Sequence, residues 1–113
     1  MRKVLAVPGG VLAGLVGVAA LATPGSAALW SEVMVSKNVS CFADHYHYGS
    51  SSGMPSKKAA TAEAIASWAG FVAWEYGDEY GNWRIAASKQ VDCSGSGSSW
   101  SCQVSARPCH KVR

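Results

Sequence analysis

The chain has 113 residues, a formal charge of +3 and only 15% charged residues. That balance, which falls to about +1 without the basic start Arg2-Lys3, is too small to propose a nucleic-acid footprint, which needs a clustered basic face. Four cysteines in so short a chain point to a covalent scaffold in an oxidising compartment.

The first stretch has the form of an export signal. Met1-Arg2-Lys3 is basic, the run from Val11 to Ala22 is apolar, and Thr23-Pro24-Gly25-Ser26-Ala27-Ala28 offers small residues to a signal peptidase. A membrane anchor is the competing reading, because Val4 to Ala22 approaches the ~20 apolar residues that a span requires. Against an anchor, Pro8-Gly9-Gly10 interrupts the run, Gly14 and Gly17 dilute it, and no basic stop follows. Residues 1–28 are therefore expected to be a signal peptide, cleaved after Ala27 or Ala28. The product would be periplasmic or secreted, with no stable membrane span. Loss of Arg2 and Lys3 leaves a formal charge of about +1, so electrostatics name no partner.

Residues 29–55 read as an arm. It holds a possible strand at Glu32 to Ser36, then Cys41 and the patch Phe42-Ala43-Asp44-His45-Tyr46-His47-Tyr48. Gly49-Ser50-Ser51-Ser52-Gly53 follows, with the composition of a flexible turn.

Residues 56–113 read as a compact helix-plus-hairpin domain. Ser56 is a good N-cap, and the alanine-rich stretch behind it predicts a helix from Lys57 to Tyr76, stopped at Gly77. Ile65, Trp68, Val72 and Tyr76 share one face at spacings of three and four. Ala62, Ala64, Ala69 and Phe71 are expected to widen it. Glu63, Ser67, Gly70 and Trp74 fall on the other side. An indole there must either be covered, most simply by the arm, or stand exposed for binding. Tyr80 and Trp83 suit another helical turn with both rings inward.

The period then changes to two. Lys89 to Ser94 and Trp100 to Ala106 alternate around Gly95-Ser96-Gly97-Ser98, which predicts a hairpin. Cys41, Cys93, Cys102 and Cys109 allow three pairings, and the cysteine spacing alone does not select one. A turn at Ser96 to Ser99 would set Cys93 opposite Cys102 and Val91 opposite Val104, within disulfide reach. Elimination then pairs Cys41 with Cys109. In that register Trp100, Cys102, Val104 and Ala106 face inward, with Ser99, Ser101, Gln103 and Ser105 on the wet side. The fold class expected is α+β, one main helix packed on a small antiparallel sheet in β-α-β-β order and stabilised by disulfides.

The series Trp68…Tyr76-Gly77…Tyr80…Trp83…Ala87…Val91-Asp92-Cys93-Ser94…Trp100-Ser101-Cys102…Ala106-Arg107-Pro108-Cys109 resembles a family of short exported proteobacterial proteins with no assigned function. The resemblance covers roughly Lys57 to Cys109. It implies a bacterial exported protein with a helix on a small antiparallel sheet, and it carries no catalytic residues.

Site chemistry must come from the residues themselves. No Gly-x-Ser-x-Gly elbow is present. Glu75, Asp78 and Glu79, near Arg84, read as solvated charge with a local ion pair rather than as an acid–base pair across a cleft. A non-catalytic module without a cofactor is expected. Its binding surface would comprise Trp74, Phe42, Tyr46 and Tyr48, because exposed aromatics carry much of the energy of small interfaces. The partner would be an envelope component or another protein. The alternative is a metal-binding protein. His45 and His47, two apart in an extended segment, face the same way and could share Zn²⁺ or Cu²⁺, with Asp44 or His110 as a further ligand. The plainer reading of that pair is a solvated or packing patch.

Overall fold

A computed structural model describes residues 30–112. The expected signal peptide therefore lies outside the described residues. Two three-stranded antiparallel sheets and one long helix make up the fold. The first sheet orders its strands β1 (Glu32–Ser36), β2 (Val39–Phe42) and β6 (Cys109–Lys111). The second runs β3 (His47–Met54), β5 (Ser99–Arg107) and β4 (Ala87–Ser96). Helix α1 spans Lys57–Tyr76, and two 3₁₀ turns, Asp78–Tyr80 and Trp83–Ile85, lead back to β4.

The helix ends where its sequence dictates. The Ser56 hydroxyl accepts the amide N–H of Ala59 at 3.0 Å, which satisfies one of the orphan donors of the first turn. Gly77, at φ 116°, closes the other end, and its N–H donates to the Ala73 carbonyl. The buried stripe of α1 is Ala60, Ala64, Trp68 and Val72, with Ile65 and Tyr76 only partly buried. Alanine at two of these turns leaves room for the sheet to come close. Gly49 of β3 uses that room: a Cβ at this position would stand 2.5 Å from the Trp68 amide nitrogen and overlap the Ala64 carbonyl oxygen.

That contact corrects the reading of Gly49 to Gly53. These residues form most of β3, not a flexible turn. Their glycine and serine content reflects close packing under the helix. The Ser51 hydroxyl donates to the Ala60 carbonyl at 2.6 Å and accepts the Cys102 N–H at 3.2 Å, joining helix to sheet. Only Gly53, at φ 64°, needs glycine's conformational freedom, and it lies where the β3–β5 register shifts. The arm is accordingly not separate from the compact half. It supplies β1, β2 and β3, and β3 completes the sheet on which the helix packs. The β-α-β-β order holds for this sheet as β3-α1-β4-β5, with its first strand at His47–Met54 rather than at Glu32–Ser36.

The hairpin has the expected register. Cys93 faces Cys102, Val91 faces Val104 and Ser96 faces Ser99, with Gly97 in the turn at φ 56°. Cys102, Val104 and Ala106 are buried beneath the helix, while Ser99 and Gln103 are exposed. Trp68 is fully buried, donates its indole N–H to the Ala106 carbonyl at 3.3 Å, and meets Trp83 edge-on at 5.2 Å. Tyr80 is buried as expected, but it sits in a 3₁₀ turn. The two disulfides join residues that face each other directly: Cys93–Cys102 within the hairpin, and Cys41–Cys109 between β2 and β6. The second one ties the start of the described chain to its end, and Arg107 reinforces it by donating to the Phe42 and Ala43 carbonyls.

Candidate functional site

The outer side of α1 carries an aromatic surface. Trp74 is 82% exposed, and the arm does not cover it. Phe71 is 59% exposed and Ala62 is exposed too, which corrects their assignment to the buried face. The sheet under α1 is only three strands wide, and Phe71 lies on the flank beyond its reach. Ser67, Gly70, Phe71 and Trp74 recur at helical spacing and together line a shallow apolar depression of about 390 Å³. A Cβ at Gly70 would meet nothing within 4 Å, so this position stands free of the rest of the fold.

The other expected binding aromatics do not join this surface. Phe42 is fully buried, packed edge-on against Tyr76 at 5.0 Å and stacked with Tyr80 at 5.4 Å; it is core, not a contact residue. Tyr48 is 63% exposed, but it alternates with Gly49 and so points away from the helix. It borders a polar groove on the far face of the sheet with Gln90, Asp92, Gln103 and Ser105. Tyr46 is exposed just before β3. The four aromatics thus form no single patch, and Trp74 with Phe71 makes the apolar one.

His45 and His47 do converge, but on a partner the sequence did not indicate. Their Nε2 atoms lie 2.7 and 2.8 Å from the same Tyr76 hydroxyl. One phenolic proton can serve only one ring, so the other imidazole donates its N–H to the oxygen. Glu75 Oε1 stands 3.3 Å from His47 Nε2, and Trp30 stacks on His45 at 3.8 Å between ring centroids. Burial lowers the His47 pKa, against the opposing pull of Glu75. His110 is elsewhere: its Nε2 is 2.9 Å from Glu32 Oε1, and its ring lies against Tyr80. It cannot serve as the further ligand considered above. Asp44 is exposed beside a shallow cleft with Trp30, Ser31, Ala43 and His45. Among the described residues, no three His, Cys, Asp or Glu side chains are grouped to hold a metal ion. The ion pair expected for Arg84 does not form among the described residues either; Glu75 turns to His47 instead.

Glu32 is a polar hub that the sequence did not reveal. It accepts hydrogen bonds from the Ser40 hydroxyl at 2.8 Å and the Tyr80 hydroxyl at 3.1 Å, and it pairs with His110. These residues lie 8, 48 and 78 positions away, so no local pattern could have joined them. Burial, then the Glu32 carboxylate, pushes the Tyr80 phenol from 10 to about 12. Between those values the folded state keeps a proton that the unfolded chain has lost, so stability falls as pH rises through the window. Urea unfolding at both ends of it should show that loss, and Tyr80→Phe should reduce it. An unchanged pH slope in the variant would refute the coupling.

No helix among the described residues is long and apolar enough to cross a membrane, and both disulfides are formed. No family model, curated protein or solved structure matches the chain.

Proposed function

We propose that this is an exported, disulfide-stabilised module without catalytic activity, working by surface recognition of an envelope component or another protein through the Trp74–Phe71 face of α1. The observation that carries this reading is the 82% exposure of Trp74 beside Phe71, on a helix whose other side already fills the core. Water-facing aromatics of this size are retained at a cost in solubility, and contiguous apolar patches mark interaction sites. The basic and apolar start of the chain, the two disulfides and the resemblance to short exported bacterial proteins support export.

Co-sedimentation of the purified chain with isolated envelope fractions tests the reading. Trp74→Ala, alone and with Phe71→Ala, should weaken retention at least roughly tenfold, as loss of an interface hot spot does. Because these rings touch little of the core, stability in thermal melts should stay within about 0.5 kcal/mol of wild type. Undiminished retention, or a fall of many degrees in the midpoint, would remove Trp74 as the anchor. Intact mass of the product harvested outside the cytoplasm, with and without reduction, checks export. It should start at Ala28 or Leu29 and gain four hydrogens when both disulfides are reduced.

A further inference from the structure

We propose that His45, His47 and Tyr76 form a Cu²⁺ site, beside which Glu75 places a carboxylate that is not a ligand. This site is separate from the Trp74–Phe71 face and does not depend on it. As a metal site the histidine pair needs a third ligand, and among the described residues no imidazole, thiolate or carboxylate completes such a group of three. The phenol of Tyr76, one helical turn beyond the buried Val72, takes that place.

The distances carry the inference. The Tyr76 oxygen lies 2.7 and 2.8 Å from the two imidazole Nε2 atoms, and Glu75 Oε1 lies 3.3 Å from the His47 Nε2. For metal–ligand bonds of about 2.0 Å, neighbouring donors sit about 2.8 Å apart in a square arrangement and about 3.3 Å apart in a tetrahedral one. The two separations from the Tyr76 oxygen to the imidazole nitrogens therefore match the edges of a coordination shell. Small side-chain shifts would let an ion take the place of the shared proton. Two imidazoles with an oxygen donor suit Cu²⁺, which also binds most tightly among the common divalent first-row ions.

The surroundings hold the donors in place. His45 stacks on Trp30 at 3.8 Å, with Phe42 edge-on, and Tyr76 packs against Phe42 at 5.0 Å. β3 begins at His47, so the backbone register of the sheet sets that ring's position on α1's last turn. The side chains of His47 and Glu75 keep 18% and 38% of their surface exposed, which leaves a route for the ion. On binding, the imidazole that donates its Nε2–H to the phenol gives that proton to solvent and takes one up at Nδ1, so both rings ligate as neutral imidazoles through Nε2. Tyr76 releases its phenolic proton to solvent as the Cu–O bond forms, for a net release of one proton, and no electron is transferred.

Titration of the native, disulfide-intact protein with a Cu²⁺ salt, followed by calorimetry and visible absorption, is the test. Expected are one equivalent of binding with proton release, and a phenolate-to-copper charge-transfer band. Tyr76→Phe should abolish the band and weaken binding at least roughly tenfold. His45→Gln with His47→Gln should remove binding, and Trp74→Ala should change nothing. Tyr76→Phe retains the ring that packs on Phe42, and circular dichroism verifies that it folds. No binding by the wild type overturns the proposal. So does binding with unchanged affinity in Tyr76→Phe, which would place the ion at other ligands.

Discussion

Replacing Cys41 and Cys109 together by alanine should lower stability by about 4 kcal/mol, against about 3 kcal/mol for Cys93 and Cys102. The difference follows from loop length. The first bridge spans 68 positions and the second only 9, so the first removes more conformational freedom from the unfolded chain. The structure adds a local reason. Cys41–Cys109 joins β2 to β6, a strand of only three residues, in the smaller sheet, beside the one on which most of the helix packs. The β4–β5 hairpin, by contrast, is long, continuous in register from Gln90 to Ser96, and packs β5 below α1. Thermal melts of the two double variants would decide. If loss of the hairpin bridge costs more, the denatured-state argument fails for this chain.

Trp68→Ala should cost about 3–5 kcal/mol, the usual range for deleting a large buried aromatic side chain. Total stability of a domain this size is commonly about 5–15 kcal/mol, so the variant would be close to unfolding. Three losses combine at the site. The cavity opens between α1, β5 and Trp83, the edge-on contact at 5.2 Å disappears, and the Ala106 carbonyl loses its donor. Trp68→Phe keeps much of the volume but not the N–H, and should cost about 1–3 kcal/mol for the stranded carbonyl. Urea unfolding measures both. The contrast with Trp74→Ala is the sharper check: the same substitution six residues along the same helix should be nearly silent. Equal losses at the two positions would mean that the two indoles do not differ in burial.

Much of the fold is legible in the sequence because it depends on local rules. Ser56 and Gly77 delimit α1 through capping chemistry, and the hairpin register follows from alternation around a glycine-bearing turn. That register pairs Cys93 with Cys102 directly and leaves Cys41 for Cys109. The candidate site is only half legible. Trp74 stands out as a large ring on the polar side of a helix, and His45 and His47 as residues two apart. Phe71 is misplaced by periodicity because a helical wheel gives angle but not the width of what packs on it. Phe42 is misplaced because one aromatic in a mixed patch looks like its neighbours until the core closes over it. Gly49 to Gly53 look like a linker because composition cannot distinguish a flexible glycine from one pressed against a helix backbone.

Sequence alone therefore determined the helix, the hairpin and the α+β class, since each rests on residues close in the chain. The covalent pairing followed only if the hairpin took one register, and the structure selects it from three. Tertiary structure decided that the arm is part of the body. It also decided that Glu32 gathers Ser40, Tyr80 and His110, that Tyr76 lies between His45 and His47, and that Trp74 faces water. The reason is distance along the backbone. Those partners are brought together by the packing of a helix on a narrow sheet, and no local preference records which residues that packing will cover.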